Sequence, residues 1–496
     1  MLKHYPLGDP VNGSPHSVCV SLPTMADIIG YEEGRVDVRC ALRTGYPRFV
    51  VHPWVARLKA LAAEVLGGGA AGLFPVASAR AAEWLRAYAG GGETFEWGGL
   101  AWARVTGAGA GRARAGAFLQ HTGCGISSRE AEDRLLALGV LDTPFVEDAA
   151  PEDAGMRVRR ALHACYGTAS PDDIVLARGG MNAFYAGFRL LSEYQRRRGR
   201  TRWVRLGWLY VDTIRVLERL AGESAEPVVF NDVADLSALE RFLAEAGGTV
   251  AGIVTEVPTN PLLETTDVER LRALADRAGC ALILDPTLAS PHNVNVLPWA
   301  DLHINSLTKY ACRAGDVMIG AAALNRASPF YDCLRAGLAA EVERPYARDL
   351  ARLAAQIDGY GPFVRAVNGS TPRVAAFLER HAGVERVWWA RQPGHGARFD
   401  MIAHKERGAG CMVSFLPKGP LARVYDRLRM AKSPSFGTEF SMVCPFMYLA
   451  HYDLVSTAEG RAQLRGAGLA PDLLRLSVGA EPVDAILEVL GEALGA

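Results

Sequence analysis

Much is missing from this chain of 496 residues, and each absence narrows what it can be. Formal net charge is zero, with 54 basic and 54 acidic side chains and no long block of either sign. That removes the electrostatic footprint of a nucleic-acid or membrane-surface binder. The nine cysteines are scattered, with no CxxC pair and no Cys/His spacing that suits a metal. Free, mostly buried thiols in a reducing compartment follow, and no metal site is expected. The opening residues MLKHYPLGDPVNG lack the apolar core of a signal peptide, and no apolar run approaches membrane-spanning length. A soluble, cytoplasmic protein with no nucleic-acid or membrane partner is expected. No internal repeat is evident.

What is present is an ordinary globular composition, 49% hydrophobic and 22% charged, at a length that allows two or three domains. The N-terminal third reads irregularly. Its stretch Gly107 to Ala117 (GAGAGRARAGA) is expected to be a loop or mobile insertion. From about residue 170, strands alternate with amphipathic helices. Strand candidates are Asp173 to Ala177, Trp203 to Leu206, Val250 to Thr255 and Ala281 to Leu284. Helices are expected over Asn182 to Arg197 and Asp212 to Leu220, and after Asp267, which caps VERLRALADRA before Gly279 stops it. This alternation predicts an α/β fold with a mostly parallel central sheet, covered by helices and binding its ligand at the carboxyl ends of the strands. After about residue 340 the texture changes to long helical stretches, a strand-like Gly410 to Phe415 and a C-terminal helix Val483 to Leu494. Domain limits of 1–154, 155–335 and 336–496 are expected, the last a smaller α+β domain.

Four features fall where such a sheet would present them. Lys309, in INSLTKY, sits between hydroxyls and an apolar run and could form a Schiff base with an aldehyde if partly neutral. Asp285 ends a strand and could pair with a protonated ring nitrogen. Gly180 and Met181 open a helix whose amides could hold a phosphate. Tyr210 could stack on an aromatic ring. Singly, these are a surface lysine, a helix cap, a glycine turn and a core tyrosine. Together, aldehyde, pyridine nitrogen, phosphate and ring describe pyridoxal phosphate (PLP).

The segments carrying these residues resemble the cystathionine γ-synthase and γ-lyase family. The likeness lies in EVPTNP with the strand end LDPT, in SLTKY followed by GDVMIG, and in GGM (179–181) and LYVDT (209–213). SFGTEFS (435–441) and LLRLSVGAEPVDAI continue it toward the C-terminus. CVSLPTMADIIGYEEG, GYPRF and QHTGCGISSREAEDRL are similar to the long fungal-type synthases. The resemblance implies a fold type I PLP enzyme (aspartate-aminotransferase-like), with Lys309 carrying the cofactor and Asp285, followed by Thr287, at the pyridine nitrogen. It implies Tyr210 as stacking group and second acid/base. Ser306 and Thr308 would join the amides of Gly180 and Met181 at the phosphate, and Arg475 would grip the substrate α-carboxylate. Ser435 and Glu439 lie on the loop facing the substrate's distal end.

The family also implies a homodimer or homotetramer with shared sites, residues 1–154 forming an arm toward the neighbouring subunit. A Tyr-x-Arg from that subunit usually meets the phosphate. Tyr46-Pro47-Arg48 has the letters, whereas Arg129 has the closer spacing and is favoured. The implied activity on an amino acid with a γ-leaving group is γ-replacement, joining an activated homoserine to cysteine. The alternatives are a γ-eliminating lyase that retains unsaturation, such as one turning γ-chloro-allylglycine into propargylglycine, or an ordinary cystathionine or methionine γ-lyase. Departures at Pro286, Cys312–Gly315 and Thr438–Glu439 bear on substrate choice, and none removes Lys309, Asp285 or Arg475.

Overall fold

The computed structural model describes residues 2–106, 109–148, 152–220, 226–404 and 408–495. The N-terminal third is more regular than its sequence suggests. After a long segment with two short helices, Met25–Glu32 and Val36–Ala41, comes the helix Pro53–Leu66. A three-stranded antiparallel sheet follows: β1 (Leu73–Val76), β2 (Glu93–Trp97) and β3 (Leu100–Arg104), in the order β1-β3-β2. Gly98 and Gly99 both take positive φ, 58° and 70°, and close the β2–β3 hairpin, whose flanking strands carry Phe95, Trp97 and Trp102. Trp102 is buried against Leu58, Leu73 and Leu135.

The expected loop at 107–117 is corrected. Residues 107 and 108 lie outside the described residues, but Ala110–Thr122 is a helix. Alanine and arginine are strong helix formers, and Ala115 and Phe118 bury against Tyr185 and Leu85. Composition alone made this segment look like a linker.

Seven strands form the central sheet: β4 (Ile174–Ala177), β5 (Arg202–Leu206), β6 (Val228–Phe230), β7 (Val250–Glu256), β8 (Ala281–Asp285), β9 (Leu302–Ser306) and β10 (Gly320–Leu324). Their order is β4-β10-β9-β8-β7-β5-β6. The run from β9 through β8, β7 and β5 to β6 is parallel, and β10 is antiparallel to both neighbours. Every residue of β7 is buried, as a strand covered on both faces requires. Because the run is parallel, the carboxyl ends of β5, β7, β8 and β9 come to one edge. The antiparallel β10 brings its first residue, Gly320, to the same edge opposite Ser306 and Ala177. A Cβ on Gly320 would stand 2.3 Å from the carbonyl oxygen of Gly179, so only glycine permits the β4 turn to pass there.

The C-terminal part carries a five-stranded sheet of β11 (Val384–Trp388), β12 (Met412–Pro417), β13 (Ala431–Lys432), β14 (Met442–Cys444) and β15 (Leu474–Ser477), ordered β11-β12-β15-β14-β13. The helix Val483–Leu494 closes the chain. The nine cysteines are free, most of them buried. Among the described residues, no helix is long and apolar enough to cross a membrane.

Candidate active site

At the carboxyl edge of the central sheet lies a cavity of about 480 Å³. It gathers Lys309, Asp285, Tyr210, Thr287, Ser306, Thr308, Gly180, Met181 and Arg475. Lys309 follows β9 by three residues, and its position is fixed by Tyr310. That tyrosine adopts φ 45°, a left-handed conformation uncommon outside glycine. Its N–H donates to Gly437 O at 2.8 Å and its hydroxyl to Leu288 O at 2.7 Å. Gly437 itself needs a positive φ of 71°, and a Cβ there would stand 2.6 Å from the Tyr310 nitrogen.

The Lys309 amine donates to the hydroxyl of Tyr46 and, at 3.2 Å, to that of Ser435. It also lies 4.4 Å from the Tyr46 ring centre and 5.0 Å from that of Phe436. Burial pushes its pKa down to about 7, and the Arg475 charge pushes the same way. A substantial share of the amine is therefore neutral near pH 7, as a carbonyl-attacking lysine requires.

Asp285 ends β8. One of its oxygens accepts the amide and hydroxyl of Thr287, at 2.8 and 2.5 Å. The Thr287 hydroxyl also accepts the Ser306 amide at 3.0 Å, so Thr287 ties β8 to β9 and orients the carboxyl group. Among the described residues the other Asp285 oxygen takes no hydrogen bond, which leaves it for a cationic ring N–H. Burial raises the pKa of Asp285, and burial together with the Asp285 charge raises that of Glu256 further. Glu256, at the end of β7, accepts the Tyr210 amide at 2.5 Å, while its second oxygen is buried with no hydrogen-bond partner among the described residues.

At the other end of the cavity Gly180 starts the helix Gly180–Arg196, and a Cβ on it would stand 2.9 Å from that of Ser306. Helix amides, a close-packed glycine and the Ser306 and Thr308 hydroxyls are groups that could hold a phosphate. Tyr210 begins the helix Val211–Arg219, and its hydroxyl interacts with Arg48 and Asp212. Asp212 in turn accepts from Gln120 and pairs with His121, each at 2.9 Å. Arg475, on β15, is held by Asn260 Oδ1 at 3.1 Å and Pro434 O at 2.6 Å, between the rings of Phe446 and Phe436. These residues fit PLP: a free carboxylate oxygen at one end, an anion cradle at the other, and the amine between them.

Two expectations are corrected. Arg129, favoured as the phosphate arginine, does not line the cavity. Its guanidinium is taken up by Glu147 at 2.6 Å, Asp349 at 3.1 Å and Asp316 O at 2.7 Å. Spacing pointed to it, but its own chain saturates it. Tyr46 and Arg48 are the pair that lines the cavity. Glu439 also lies outside the cavity lining, exposed at the surface and paired with Arg313. Both positions had stood out as departures near the substrate end, and they engage each other. Sequence reading passed over Glu256, Asp212, His121 and Phe436. Glu256 and Asp212 stood inside quoted motifs, EVPTNP and LYVDT, which is the signal that could have found them.

Comparison with known proteins gives the family and the fold. Residues 174–495 fit the family described as Cys/Met metabolism PLP-dependent enzyme. The chain belongs to that family. Pyridoxal phosphate is the cofactor this membership implies, and the chain is a PLP-dependent enzyme of the γ-synthase and γ-lyase type. It is 45% identical, over 98% of its length and 97% of the relative's, to an L-2-amino-4-chloropent-4-enoate dechlorinase/desaturase from Streptantibioticus cattleyicolor. The cystathionine gamma-synthase of Neurospora crassa is 31% identical over 65% of this chain and 52% of that protein. Among solved structures, the cystathionine gamma synthase of Xanthomonas oryzae pv. oryzae superimposes with a TM-score of 0.58 at 24% identity, covering 74% of this chain and 96% of that one. That likeness speaks for the fold.

Proposed function

We propose that this enzyme removes the γ-substituent of an unsaturated five-carbon amino acid without adding a nucleophile, with L-2-amino-4-chloropent-4-enoate as substrate and the terminal alkyne propargylglycine as product. The net change is loss of HCl. The Cγ–Cl bond breaks with chloride keeping the electron pair, and one carbon-bound proton leaves to a basic group and then to water. The observation that carries this reading is the end-to-end relationship to the dechlorinase/desaturase, N-terminal third included. The γ-replacement first expected ranks second, since the Neurospora synthase matches over a shorter part of the chain.

Bound PLP supplies an electron sink for charge developing at the substrate's Cα. The chain's own residues do the rest. Arg475 holds the α-carboxylate, for which a planar guanidinium anchored by Asn260 and Pro434 is pre-oriented. Lys309, depressed to about pKa 7, takes and returns protons at Cα and Cβ. The Tyr46 and Ser435 hydroxyls steer its amine. Phe436, Phe446 and Leu449 turn apolar surface toward the cavity, which suits an uncharged chlorovinyl group.

The test is to give the PLP-loaded enzyme L-2-amino-4-chloropent-4-enoate and, in parallel, O-acyl- or O-phosphohomoserine with cysteine. Chloride release together with a five-carbon alkynyl amino acid is expected. A thioether from the homoserine ester, with no chloride from the first substrate, would overturn the reading in favour of γ-replacement.

A further inference from the structure

We propose that Glu256 serves this site as a neutral acid: it keeps the proton that Asp285 does without, and in that form it holds the backbone of Tyr210 at the cavity. It is a positioning residue, acting through the Tyr210 amide. The proposal rests on the cofactor that family membership implies, and not on which product is made.

Glu256 ends β7 and Asp285 ends β8, and the two are direct partners in the parallel register. Paired side chains leave a sheet on the same face, with neighbouring strands about 4.8 Å apart. Both residues line the cavity, and Glu256 is only 4% exposed. Two carboxyl groups this close and cut off from water do not both ionise. A protonated ring nitrogen brings one positive charge, which one carboxylate balances. A second carboxylate would be a buried charge without a partner. Among the described residues neither group forms an ion pair, and Arg475, whose charge reaches Glu256 from β15, is turned to Asn260 and Pro434. Arg205, the charge nearest the end of β5, is turned to Asn231 and the Trp208 ring. Lys309, after β9, is itself held partly neutral by burial.

Which of the two keeps the proton follows from their hydrogen bonds. Asp285 accepts both the amide and the hydroxyl of Thr287. That hydroxyl oxygen already accepts the Ser306 amide at 3.0 Å and Asn305 Nδ2 at 3.3 Å, so its single proton goes to Asp285. Asn305 is oriented in turn by Tyr166, whose buried hydroxyl donates to Asn305 Oδ1 at 2.9 Å. Tyr166 and Asn305 both stand outside the cavity lining. The His303 ring meets Tyr166 edge-on at 4.6 Å, and burial pushes its pKa down to about 3, so it adds no charge. Two donors thus favour the ionised form of Asp285. Glu256 accepts one, the Tyr210 amide, and its other oxygen is buried with no hydrogen-bond partner among the described residues. An unpartnered oxygen is far less costly on a neutral acid than on a carboxylate. Burial and the Asp285 charge push the same way. Through its one bond Glu256 fixes Tyr210, the residue that caps the helix Val211–Arg219.

Infrared spectroscopy of the PLP-loaded enzyme is the test, because the carbonyl stretch of a protonated carboxyl group stands clear of the amide bands. Spectra are taken at mildly alkaline pH, where Glu32, raised by burial to a pKa of about 7, has lost its proton. A protonated-carboxyl band is expected in the wild type and not in Glu256→Gln, with the carboxylate bands unchanged. PLP titrations of the cofactor-free proteins read the positioning role. Glu256→Ala should weaken binding roughly ten-fold, and Glu256→Gln, which keeps an uncharged acceptor for the Tyr210 amide, should recover most of that loss. A carboxylate band lost in place of the protonated one would show that Glu256 is ionised and overturn the proposal. Glu256→Gln binding PLP as weakly as Glu256→Ala would overturn it too. If Glu256→Gln does not accumulate, wild-type enzyme made with isotopically labelled glutamate carboxyls decides: a protonated-carboxyl band that shifts with the label supports the proposal, and one that stays overturns it. Neither readout involves the product, so failure here leaves the chloride assay standing, and failure of that assay leaves this result standing.

Discussion

The Lys309 amine sits among two hydroxyls and two aromatic rings, with a guanidinium near enough to disfavour its charge. Its pKa of about 7, against an ordinary 10.5, makes a direct prediction. In the cofactor-free protein the amine is protonated below that value and neutral above it. Its labelling by an amine-directed reagent should rise through about pH 7, and a midpoint near that of a free lysine would contradict the burial argument. Arg475 carries a second prediction. Arg475→Lys keeps the charge but loses the fork, so kcat/KM should fall roughly 10- to 100-fold, the equivalent of one charged hydrogen bond. The loss should appear mainly in KM. Lys309, Asp285 and Arg475 were legible in the sequence because each sits in a compact motif whose chemistry can be named. Arg129 misled because its partners, Glu147, Asp316 and Asp349, are brought to it only by folding. Tyr46 was undervalued for the same reason: its hydroxyl meets residues 263 and 389 positions away.

At the scale of elements, β4, β5, β7 and β8 and the helices Gly180–Arg196, Val211–Arg219 and Val268–Ala278 could be read almost to their boundaries, because β-period and helix-period segments there are separated by clear caps, whereas β6, β9, β10 and the helix Ser237–Ala246 were not named. The helix Val268–Ala278 begins after Asp267, whose carboxylate accepts the Arg270 amide at 2.9 Å, and ends at Gly279 in the left-handed region. The first 150 residues were less legible. Their strands are short, and the Ala/Arg-rich helix Ala110–Thr122 has the composition of a linker, with only Ala115, Phe118, His121 and Thr122 buried. One missed signal is specific: Gly98-Gly99 between two aromatic-bearing runs is a hairpin signature. A prediction at this scale concerns Gly320. Gly320→Ala would drive a methyl into Gly179 O and displace the turn that opens the phosphate cradle. PLP retention after dialysis should drop at least ten-fold, while far-UV circular dichroism stays close to wild type. A variant holding PLP normally would mean that β4 can yield without cost to the cradle.

Across the whole molecule, Arg129 joins the helix Ser128–Ala137 to the loop after Lys309 and to the helix Ala347–Gln356, buried among three carboxylates. Removing the guanidinium takes the ion-pair partner from the buried Asp349, while Arg352 still faces Asp316 and Glu147; breaking a buried pair in this way typically costs about 3–5 kcal/mol. Arg129→Ala should therefore lower the unfolding midpoint markedly, while the folded fraction binds PLP as tightly as wild type. A specific loss of PLP with unchanged stability would return Arg129 to the phosphate.

The packing of residues near the start of the chain on the C-terminal sheet has a consequence for how the protein is made. Tyr46 leaves the ribosome among the first tenth of the chain, whereas Ser435 and Arg475 leave among the last eighth. The core that secures Val20, Leu22 and Met25 needs β14 and β15 in place. Contacts of such separation form late and must wait for synthesis to finish. A nascent or prematurely ended chain that already carries Lys309 thus lacks the burial and the Arg475 charge that hold its amine partly neutral.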